Sequence, residues 1–506
     1  MRVLIFHGYL LRGTGSNVYN AELAAALARN GHEVHLLCQD REPLALPWVD
    51  AAGDWDGGAL ELEVRSDPPR STVYRPDLGG VLPTYVADRY EGVEARVFQD
   101  LSEDELAAYL ERNVAAVREV AALARPDVAL ANHLVMGPVI LARALGEEVP
   151  YAVKIHGSAL EYTVKPYPRF MPFAKEGIRG ARGVLAGSHH TAASLWAALE
   201  EPGLEERTRL GPPGVDVASF APREPAAAVA GMAALAERLA TMAPEPATGS
   251  SFDRDPSEAA AALRGLDPGR DRIVAYVGKL IGSKGVELLL AAFPLVLDRV
   301  PDARLLVVGF GAFREGLEEL AAALARGDLA AARAVRGEQG QELPHLAAFL
   351  DAADPERYAA LARATAGRVH WAGRLEHEEL TDVLPATEAF AMPSTFPEAF
   401  GMVAAEAAAC GVLPVVAGHS GMAEVARSLA EAVDPQVVPW LTFQVGPGAV
   451  EELAGGLASW LEAPEDLRAR TREAIVEVAR ERYSWDGVAR TVIAAARGEL
   501  DGLPRP

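Results

Sequence analysis

Short apolar runs alternate with stretches of helical periodicity along most of the chain. The run RVLIFHGYL, at residues 2–10, has the length and apolar character of a buried strand, and a loop then leads into the helical pattern NAELAAALARNG. The next apolar run, EVHLLC, completes a βαβ pattern, which predicts a parallel sheet with a right-handed crossover. We therefore expect the N-terminal part, residues 1–215, to be one doubly wound α/β domain.

The alternation is interrupted after residue 215 and restarts at about residue 271. Residues 216–270 contain turn-rich and alanine-rich segments that are typical of a linker or an insertion. Strand and helix patterns then alternate over residues 271–484, apart from a polar, alanine-rich helical insertion at about 326–366. The last helical segment, about 485–506, is expected to pack back on the N-terminal domain.

Two open parallel sheets in one chain predict two crevices at the carboxyl ends of strands, which is where ligands bind in such folds. If the two domains face one another, the ligand lies in the cleft between them. The sequence therefore predicts an α/β protein with two Rossmann-like domains and one shared ligand cleft.

Charge and cysteine content limit the classes of partner. The 506 residues have a formal net charge of −23, so nucleic acid and anionic membrane surfaces are poor partners for the whole molecule. Cys38 and Cys410 lie far apart in apolar segments, which favours buried thiols over a disulfide. Their spacing is not that of metal ligands. The apolar N-terminus is interrupted by His7 and Gly8, unlike a signal peptide. We expect a cytoplasmic protein without a transmembrane segment.

Two loops have features that suit phosphate binding. Gly13 and Gly15 follow the first strand and precede a helix, where backbone amides can hold an anion, although the third glycine of a dinucleotide fingerprint is missing. A tight turn is the alternative interpretation. Lys279 and Lys284 lie between a strand and the next helix, so that their ammonium groups could clamp one diphosphate. Exposed lysines without a ligand are an equally good interpretation.

The segment PEAFGMVAAEAAACG contains two carboxylates in otherwise small and apolar surroundings. Gly401 is expected to begin a helix, which places Glu398 in the preceding loop and Glu406 about a turn and a half inside. The free amides of Phe400, Gly401 and Met402 would point out of this helix end. Carboxylates suit sugar hydroxyls, and amides suit anionic oxygens. The alternatives are a helix-capping charge for Glu398 and a buried salt bridge for Glu406.

In its context, PSTFPEAFGMVAAEAAACGVLPVVAGHSGMAEV resembles the signature of the retaining glycosyltransferases of family four, which have the GT-B fold. The shared positions are Pro-Ser, Glu, Phe-Gly, Glu-Ala, Cys-Gly-x-Pro-Val-Val-Ala and the final Glu. VGKLIGSKGVELLLAAF, HWAGRLEHEELTDVL and GTGSNVYNAELAAALARNGHEVHLL resemble further segments of that family. The resemblance implies a GT-B fold and a nucleotide-sugar donor.

The resemblance also implies roles for individual residues. Glu398 would bind hydroxyls of the donor sugar, and Glu406 would bind the ribose. Lys279 and Lys284 would neutralise the diphosphate, with Lys279 in place of the family's usual arginine. With His156 and Glu398, the two lysines are the expected catalytic groups. The other implied donor contacts are those of Phe400, Gly401 and Met402 with the sugar, of Arg374 and Leu375 with the base, of His156 with the sugar, and of Gly13 and Gly15 with the phosphates.

The implied reaction transfers a sugar from a nucleoside diphosphate to an acceptor, with retention at the anomeric carbon. A UDP-sugar is the favoured donor, and GDP-mannose is possible. The leaving diphosphate would be stabilised by lysines and helix amides, so neither a metal nor a cofactor is expected. A nucleotide-sugar epimerase, a phosphorylase and a non-catalytic nucleotide-sugar-binding regulator are the alternatives.

The most basic stretch of the chain is YTVKPYPRFMPFAKEGIRGARG, residues 162–183, with five basic residues and one acidic residue. Arg169 and Lys175 are therefore candidates to bind an anionic or lipid-linked acceptor, while a small molecule or a glycan remains an alternative acceptor. An ordinary amphipathic surface helix is the alternative interpretation of this stretch.

Overall fold

A computed structural model of the protein describes residues 1–12, 15–56, 58–85, 94–243, 254–398 and 400–506. These residues form two compact units. The N-terminal unit comprises Met1–Gly214 and Ser484–Pro506, and the C-terminal unit comprises Val215–Tyr483.

The N-terminal unit is built on a nine-stranded sheet. Its strand order is β11-β10-β9-β8-β1-β2-β5-β3-β4, and β6 pairs with β7 in a separate two-stranded sheet. The order proceeds from β1 to β2 on one side and from β1 to β8 on the other, so its switch point lies between β1 and β8. The strands are β1 (Arg2–Phe6), β2 (Glu33–Leu37), β3 (Ala51–Asp56), β4 (Ala59–Val64), β5 (Ser71–Arg75), β6 (Val81–Thr84), β7 (Glu94–Val97), β8 (Val128–Asn132), β9 (Tyr151–Ile155), β10 (Gly183–Ala186) and β11 (Thr208–Leu210).

The central strands of this sheet are apolar and buried, as their sequences predict, and they pair in parallel. The edge strand β4 is antiparallel to β3, which the sequence analysis did not anticipate. Its sequence ALELEV is mostly exposed and carries Glu61 and Glu63, so it lacks the apolar run of a buried strand. The helices that follow these strands are α1 (Ser16–Arg29), α2 (Glu103–Ala124), α3 (Gly137–Leu145), α4 (Met171–Gly180), α5 (His189–Leu199) and α6 (Leu204–Arg207).

The C-terminal unit is built on a six-stranded, fully parallel sheet of order β14-β13-β12-β15-β16-β17. Its switch point lies between β12 and β15, because β13 and β16 lie on opposite sides of that pair. The strands are β12 (Arg272–Val277), β13 (Ala303–Val308), β14 (Val369–Gly373), β15 (Ala389–Met392), β16 (Leu413–Ala417) and β17 (Thr442–Phe443). The helices are α7 (Pro225–Thr241), α8 (Pro256–Arg264), α9 (Val286–Arg299), α10 (Arg314–Arg326), α11 (Leu329–Ala334), α12 (Pro344–Ala352), α13 (Pro355–Ala362), α14 (Leu380–Val383), α15 (Met402–Ala409), α16 (Ser420–Ala430), α17 (Ala449–Glu462) and α18 (Glu465–Tyr483).

Most of the segment 216–270, predicted as a linker or insertion, is packed structure of the C-terminal unit. Met232, Leu235 and Leu239 on α7 are buried in the core of that unit, and α7 packs against α8. Residues 244–253 lie outside the described residues. The segment 326–366 is helical, as predicted, and contributes α11, α12 and α13.

The chain ends in α19 (Trp485–Arg497), which belongs to the N-terminal unit. This helix packs against α1 and β9, and it buries Trp485 and Val492 in the core there. In the described ranges, every helix falls short of the length or the hydropathy that a membrane span requires. Cys38 and Cys410 are both buried free thiols.

Candidate donor site

The candidate donor site of the C-terminal unit lies at the carboxyl ends of β12 and β15, the two strands that flank the switch point. Lys279 and Lys284 follow β12, and Glu398 follows β15. Because neighbouring parallel strands end at the same edge of a sheet, the topology brings these residues together. The sequence placed each residue at a strand end, and the strand order makes those ends neighbours.

The loop that carries Lys279 is held by its backbone. The Gly278 amide donates to the Val308 carbonyl at 3.0 Å, and the Leu280 amide donates to the Phe310 carbonyl at 2.7 Å. The Tyr276 hydroxyl donates to the Lys279 carbonyl at 2.8 Å, while the Lys279 side chain is exposed. The loop is therefore fixed, and the ammonium group of Lys279 reaches solvent.

Lys284 and Glu398 form an ion pair in which Lys284 Nζ donates to Glu398 Oε1. Their side chains are only 23% and 20% exposed. Ser394 Oγ donates to the same carboxylate oxygen at 2.7 Å. The backbone of Glu398 is also fixed, since its amide donates to Ser420 Oγ at 2.9 Å and its carbonyl accepts from the Gly421 amide at 2.9 Å. The carboxylate is thus held at the entrance to α15.

Gly285 allows the Lys284 loop to approach the end of β15. Its φ is +66°, and a Cβ atom there would lie 2.0 Å from the Pro393 carbonyl oxygen. We expect Gly285→Ala to lower the free energy of unfolding by about 1–3 kcal/mol, because both the backbone conformation and the contact disfavour a side chain. Urea unfolding measures the change. Gly446→Ala is the matched control, because nothing lies within 4 Å of the Cβ that it would add; equal effects of the two substitutions would contradict the assignment.

Helix α15 begins where the sequence predicts, with Gly401 as its N-cap. No side chain of the described residues caps this end. Phe400 is buried and packs edge-on against Tyr483, with ring centroids 5.5 Å apart. Met402 is the first residue of the helix. The predicted amide end is therefore present beside the Lys284–Glu398 pair.

Glu406, one turn into α15, is 2% exposed. Its Oε1 lies 2.9 Å from His377 Nε2, and its Oε2 has no hydrogen-bond partner among the described residues. A buried carboxylate oxygen without a partner is costly, so this oxygen is an acceptor in need of a donor. The buried pair expected in the alternative interpretation of Glu406 is thus present, but it uses only one of the two oxygens.

The turn after β14 is connected to α15 through His377. Arg374 Nη2 lies 2.9 Å from Glu376 Oε1, and the Arg374 guanidinium lies 6.0 Å from the ring centre of Phe310. Leu375 is 9% exposed. Because His377 in the same turn contacts Glu406, this turn reaches α15, and the contact of Arg374 and Leu375 with a base stays a prediction.

Glu287 is a second buried carboxylate near the lysine loop, and the sequence analysis missed it. It lies in the first turn of α9, is 4% exposed, and its Oε2 has no hydrogen-bond partner among the described residues. Burial raises the pKa of Glu287 to about 7, and the nearby Glu338 raises it further in the same direction. Glu338 belongs to the predicted insertion and accepts from the Gly282 amide at 2.9 Å.

The raised pKa of Glu287 has a consequence for stability. The folded protein binds this proton more tightly than the unfolded chain, so its contribution to stability is present below about pH 4.5 and is lost as pH rises through about 7. We expect Glu287→Gln to increase the free energy of unfolding by about 2–3 kcal/mol above about pH 7 and to have little effect at about pH 4.5. Chemical unfolding at both pH values measures this, with the exposed Glu319→Gln as control. A Glu287→Gln effect that does not depend on pH would contradict the expectation.

The remaining predicted residues lie in the N-terminal unit. Gly13 lies outside the described residues. Gly15 is the N-cap of α1 with a φ of +60° and is exposed. His156 follows β9 and is half-buried, and its Nε2 lies 2.8 Å from Asn132 Oδ1. These positions agree with a strand-end site in this unit, and the roles of the residues stay predictions.

The two predicted acceptor residues differ in how their side chains are used. The Arg169 guanidinium donates to the carbonyls of Phe98, Gln99 and Leu101 at 2.8–3.1 Å. It thus fixes the segment before α2. Lys175 lies on α4 and is half-exposed. Their contact with an acceptor stays a prediction, and the guanidinium of Arg169 is already bonded to three backbone carbonyls.

The histidine, cysteine and carboxylate side chains of the described ranges form no group of three that could hold a metal ion. Metal independence stays a prediction. The site includes polar groups to which the sequence analysis gave no role: Ser394, His377 and Ser420 contact the two predicted carboxylates or their backbone. All three lie inside the quoted family-like segments, but only the folded chain shows which carboxylate each one contacts.

Two family models match this chain. The one described as glycosyl transferases group 1 matches residues 264–328 and 351–482, and the one described as a glycosyl transferase 4-like domain matches residues 14–214. The gap in the first match lies inside the predicted insertion at 326–366. Together the two matches cover most of both units. The chain belongs to the family-four glycosyltransferases, and its two α/β units are those of the GT-B fold.

Curated relatives match parts of the chain. A D-inositol 3-phosphate glycosyltransferase from Segniliparus rotundus is 34% identical over 244 residues, which are 48% of this chain and 43% of that protein. A GDP-mannose-dependent monoacylated alpha-(1-6)-phosphatidylinositol monomannoside mannosyltransferase from Corynebacterium glutamicum is 29% identical over 155 residues, 29% of this chain and 30% of that protein. The matches span less than half the length of these relatives.

Solved structures of similar fold cover nearly the whole chain. Sucrose-phosphate synthase from Thermosynechococcus elongatus has a TM-score of 0.56 at 18% identity and covers 99% of both chains. Anabaena HepE in complex with UDP and glucose has a TM-score of 0.55 at 17% identity, with 99% of this chain and 100% of that chain covered. At these identities the likeness shows the fold.

Proposed function

We propose that this protein transfers a sugar from a nucleoside diphosphate sugar to an acceptor hydroxyl, with retention at the anomeric carbon. The observation that carries the proposal is the Lys284–Glu398 pair at the switch point of the C-terminal sheet, beside the open amide end of α15. A cation, a carboxylate and a helix N-terminus at one strand edge suit a ligand with both phosphate and hydroxyl groups.

The ion pair does not prevent the two residues from binding the donor. An ammonium group has three N–H donors, and Lys284 uses one of them on Glu398, so it can bind a phosphate oxygen without releasing the carboxylate. Glu398 Oε1 already accepts from Lys284 and Ser394, which leaves Oε2 for a sugar hydroxyl. In this arrangement Glu398 orients both the sugar and the lysine that neutralises the leaving group.

Glu406 suits the ribose. The free Oε2 of this buried carboxylate can accept from one ribose hydroxyl, and Oε1 can be shared between His377 and a second hydroxyl. The neighbouring turn with Arg374 and Leu375 then provides an apolar and a cationic surface for the base.

Catalysis would consist mainly of stabilising charge on the departing diphosphate. Lys279, Lys284 and the amides at the start of α15 supply positive charge and N–H donors for it. Retention by double displacement would need a carboxylate nucleophile, whereas Glu398 and Glu406 are proposed to bind the sugar and the ribose. We therefore propose that the acceptor attacks on the face from which the diphosphate leaves, with a phosphate oxygen taking its proton. We propose that this proceeds without a metal ion.

UDP-sugars are the proposed donors. UDP sugars are common donors in this family, and a solved protein of the same fold, Anabaena HepE, is named as a complex with UDP and glucose. GDP-mannose is the second candidate, because the names of two relatives, from Corynebacterium glutamicum and Mycolicibacterium smegmatis, include GDP-mannose dependence. The acceptor would be a small molecule, a glycan or a lipid-linked compound, with Lys175 as the candidate contact for an anionic one.

The test is a thermal-shift panel of UDP, GDP and ADP and their sugars, each with and without EDTA. A ligand that binds the folded state raises the unfolding temperature according to its occupancy. We expect UDP and a UDP-sugar to give the largest increase and EDTA not to reduce it. Transfer of radiolabelled sugar to candidate acceptors then separates turnover from binding. The absence of any shift in unfolding temperature would overturn the donor proposal. A shift that EDTA abolishes would overturn its metal independence.

A further inference from the structure

Three imidazoles meet at the switch point of the N-terminal sheet. His7 follows β1, His133 follows β8 and His156 follows β9. The ring centroid of His133 lies 4.8 Å from that of His156 and 6.0 Å from that of His7. This is the edge at which a doubly wound sheet binds ligands.

A chain of hydrogen bonds connects His7 to His156 through two buried asparagines. Asn20 Nδ2 lies 3.1 Å from His7 Nδ1, Asn132 Nδ2 donates to Asn20 Oδ1 at 2.7 Å, and Asn132 Oδ1 lies 2.8 Å from His156 Nε2. Asn20 and Asn132 are at most 1% exposed.

Backbone carbonyls fix the orientation of both amides. Asn20 Nδ2 also donates to the Ser16 carbonyl at 2.8 Å, and Asn132 Nδ2 also donates to the Phe6 carbonyl at 3.2 Å. A carbonyl oxygen can only accept, so each amide must present its nitrogen to the backbone and its oxygen to the next member of the chain.

The amide orientations determine the tautomer of each histidine. Because Asn20 presents N–H to His7 Nδ1, that nitrogen accepts and the proton of His7 is on Nε2, where the Leu10 carbonyl lies at 3.0 Å. Because Asn132 presents its oxygen to His156 Nε2, that nitrogen must donate. The proton of neutral His156 is therefore on Nε2. Its Nδ1 carries a lone pair that has no hydrogen-bond partner among the described residues.

We propose that Asn20 and Asn132 are positioning residues that hold His156 as the neutral Nε2–H tautomer, with Nδ1 presented as a hydrogen-bond acceptor for a sugar hydroxyl. The tautomer follows from this structure alone, and the sugar as its partner rests on the proposed function. An imidazole held in this way accepts a hydroxyl proton in a fixed direction, which a freely rotating or protonated ring does not do.

The groups around His156 favour its neutral form. Burial lowers the pKa of His156 well below its ordinary value, and the neighbouring His133, Lys154 and His7 act in the same direction. Burial also lowers the pKa of Lys154 to about 7; its Nζ donates to the Gly211 carbonyl and lies 5.4 Å from the ring centre of Tyr19. Tyr19 packs edge-on against His156 at 5.0 Å. Among the described residues, no carboxylate acts on His156 in the opposite direction.

The direct test is the nitrogen-15 spectrum of the histidines in the whole protein, recorded from about pH 5 to about pH 8, a range in which an ordinary histidine titrates. His156→Gln identifies the His156 signals among those of the 11 histidines. We expect a protonated Nε2 and an unprotonated Nδ1 over the whole range. An Nδ1–H tautomer or a titrating imidazolium in the wild-type protein would overturn the proposal, whatever the enzymatic activity.

Asn132→Asp tests the function of the hydrogen-bond chain that connects His7 to His156. One carboxylate oxygen can still accept from His156 Nε2, but the other then faces the acceptor oxygens of Phe6 and Asn20, and the added charge favours the imidazolium. We expect His156 to titrate in this variant, and kcat/KM for transfer from radiolabelled UDP-glucose to fall about tenfold on the acidic side and to recover as pH rises.

Asn113→Asp is the matched control, since Asn113 is also buried and donates to a backbone carbonyl, that of Tyr109, and has no hydrogen bond to a histidine of the described residues. We expect it to change stability without a new histidine titration. A pH-independent loss of activity in Asn132→Asp, equal to that in the control, would assign Asn132 a purely structural role and overturn its positioning role. If the wild-type protein transfers sugar from no tested donor while its nitrogen-15 spectrum is as expected, the proposed function fails and the tautomer assignment stands.

Discussion

Replacing Lys284 by methionine is expected to lower the rate of sugar transfer by about 10²–10³-fold, because the variant loses a fixed cation at the point where charge develops on the leaving diphosphate. Methionine keeps much of the length and the apolar stem of the side chain, so the change mainly removes the ammonium group. It also leaves Glu398 with Ser394 as its remaining hydrogen-bond donor in the described structure. Steady-state rates with a labelled donor and with saturating acceptor measure the effect on kcat.

Arg470→Met is the matched control. Arg470 forms an exposed i,i+4 pair with Asp466 at 3.0 Å on the C-terminal unit, away from the candidate donor and acceptor residues, and such pairs contribute little to stability. We expect the control to retain the wild-type rate. A Lys284→Met enzyme as fast as the control would remove Lys284 from the reaction and with it the main support for the donor site.

Glu406→Gln is expected to weaken UDP binding by about 10- to 100-fold, because a charged acceptor for the ribose hydroxyls becomes a neutral amide. The substitution preserves the volume of the buried side chain, and the amide oxygen can still accept from His377, so the fold should be retained. Isothermal titration calorimetry with UDP measures the affinity without an acceptor.

Glu388→Gln serves as the control for Glu406→Gln. Glu388 precedes β15 at the opposite edge of the sheet and pairs with Arg272, Arg468 and Arg472. Its loss should lower the unfolding temperature while leaving UDP affinity unchanged. An equal loss of affinity in both variants would mean that Glu406 acts through stability and not through contact with the nucleotide.

The sequence was sufficient for the features that depend on local pattern. The apolar run, Gly401 and the alanine-rich helix predicted the start of α15 and the position of Glu406 inside it, and the structure has both. The restart of alternating strands near residue 271 predicted the second parallel sheet. The edge strand β4 carries a different signal from the other strands: ALELEV lacks their apolar run, but it alternates apolar and charged residues, which is the period-two pattern of a strand.

The contacts between distant segments could not be derived from local pattern. Lys284 and Glu398 are 114 residues apart, and they meet only because β12 and β15 are neighbours in the sheet. His377 was not predicted as the partner of Glu406 because the turn after β14 reaches α15 through the tertiary fold. The same holds for Asn132, which contacts His156 through the pairing of β8 with β9.

A crystal structure of the whole protein with UDP would test the account most directly. The central claim is that one nucleoside diphosphate is bound jointly by ammonium groups after the first strand of the C-terminal sheet and by the carboxylate within α15. The expected result is diphosphate oxygens within hydrogen-bond distance of Lys279 and Lys284 Nζ, and ribose hydroxyls on Glu406. A nucleotide bound elsewhere, with these three side chains arranged as they are now, would contradict it.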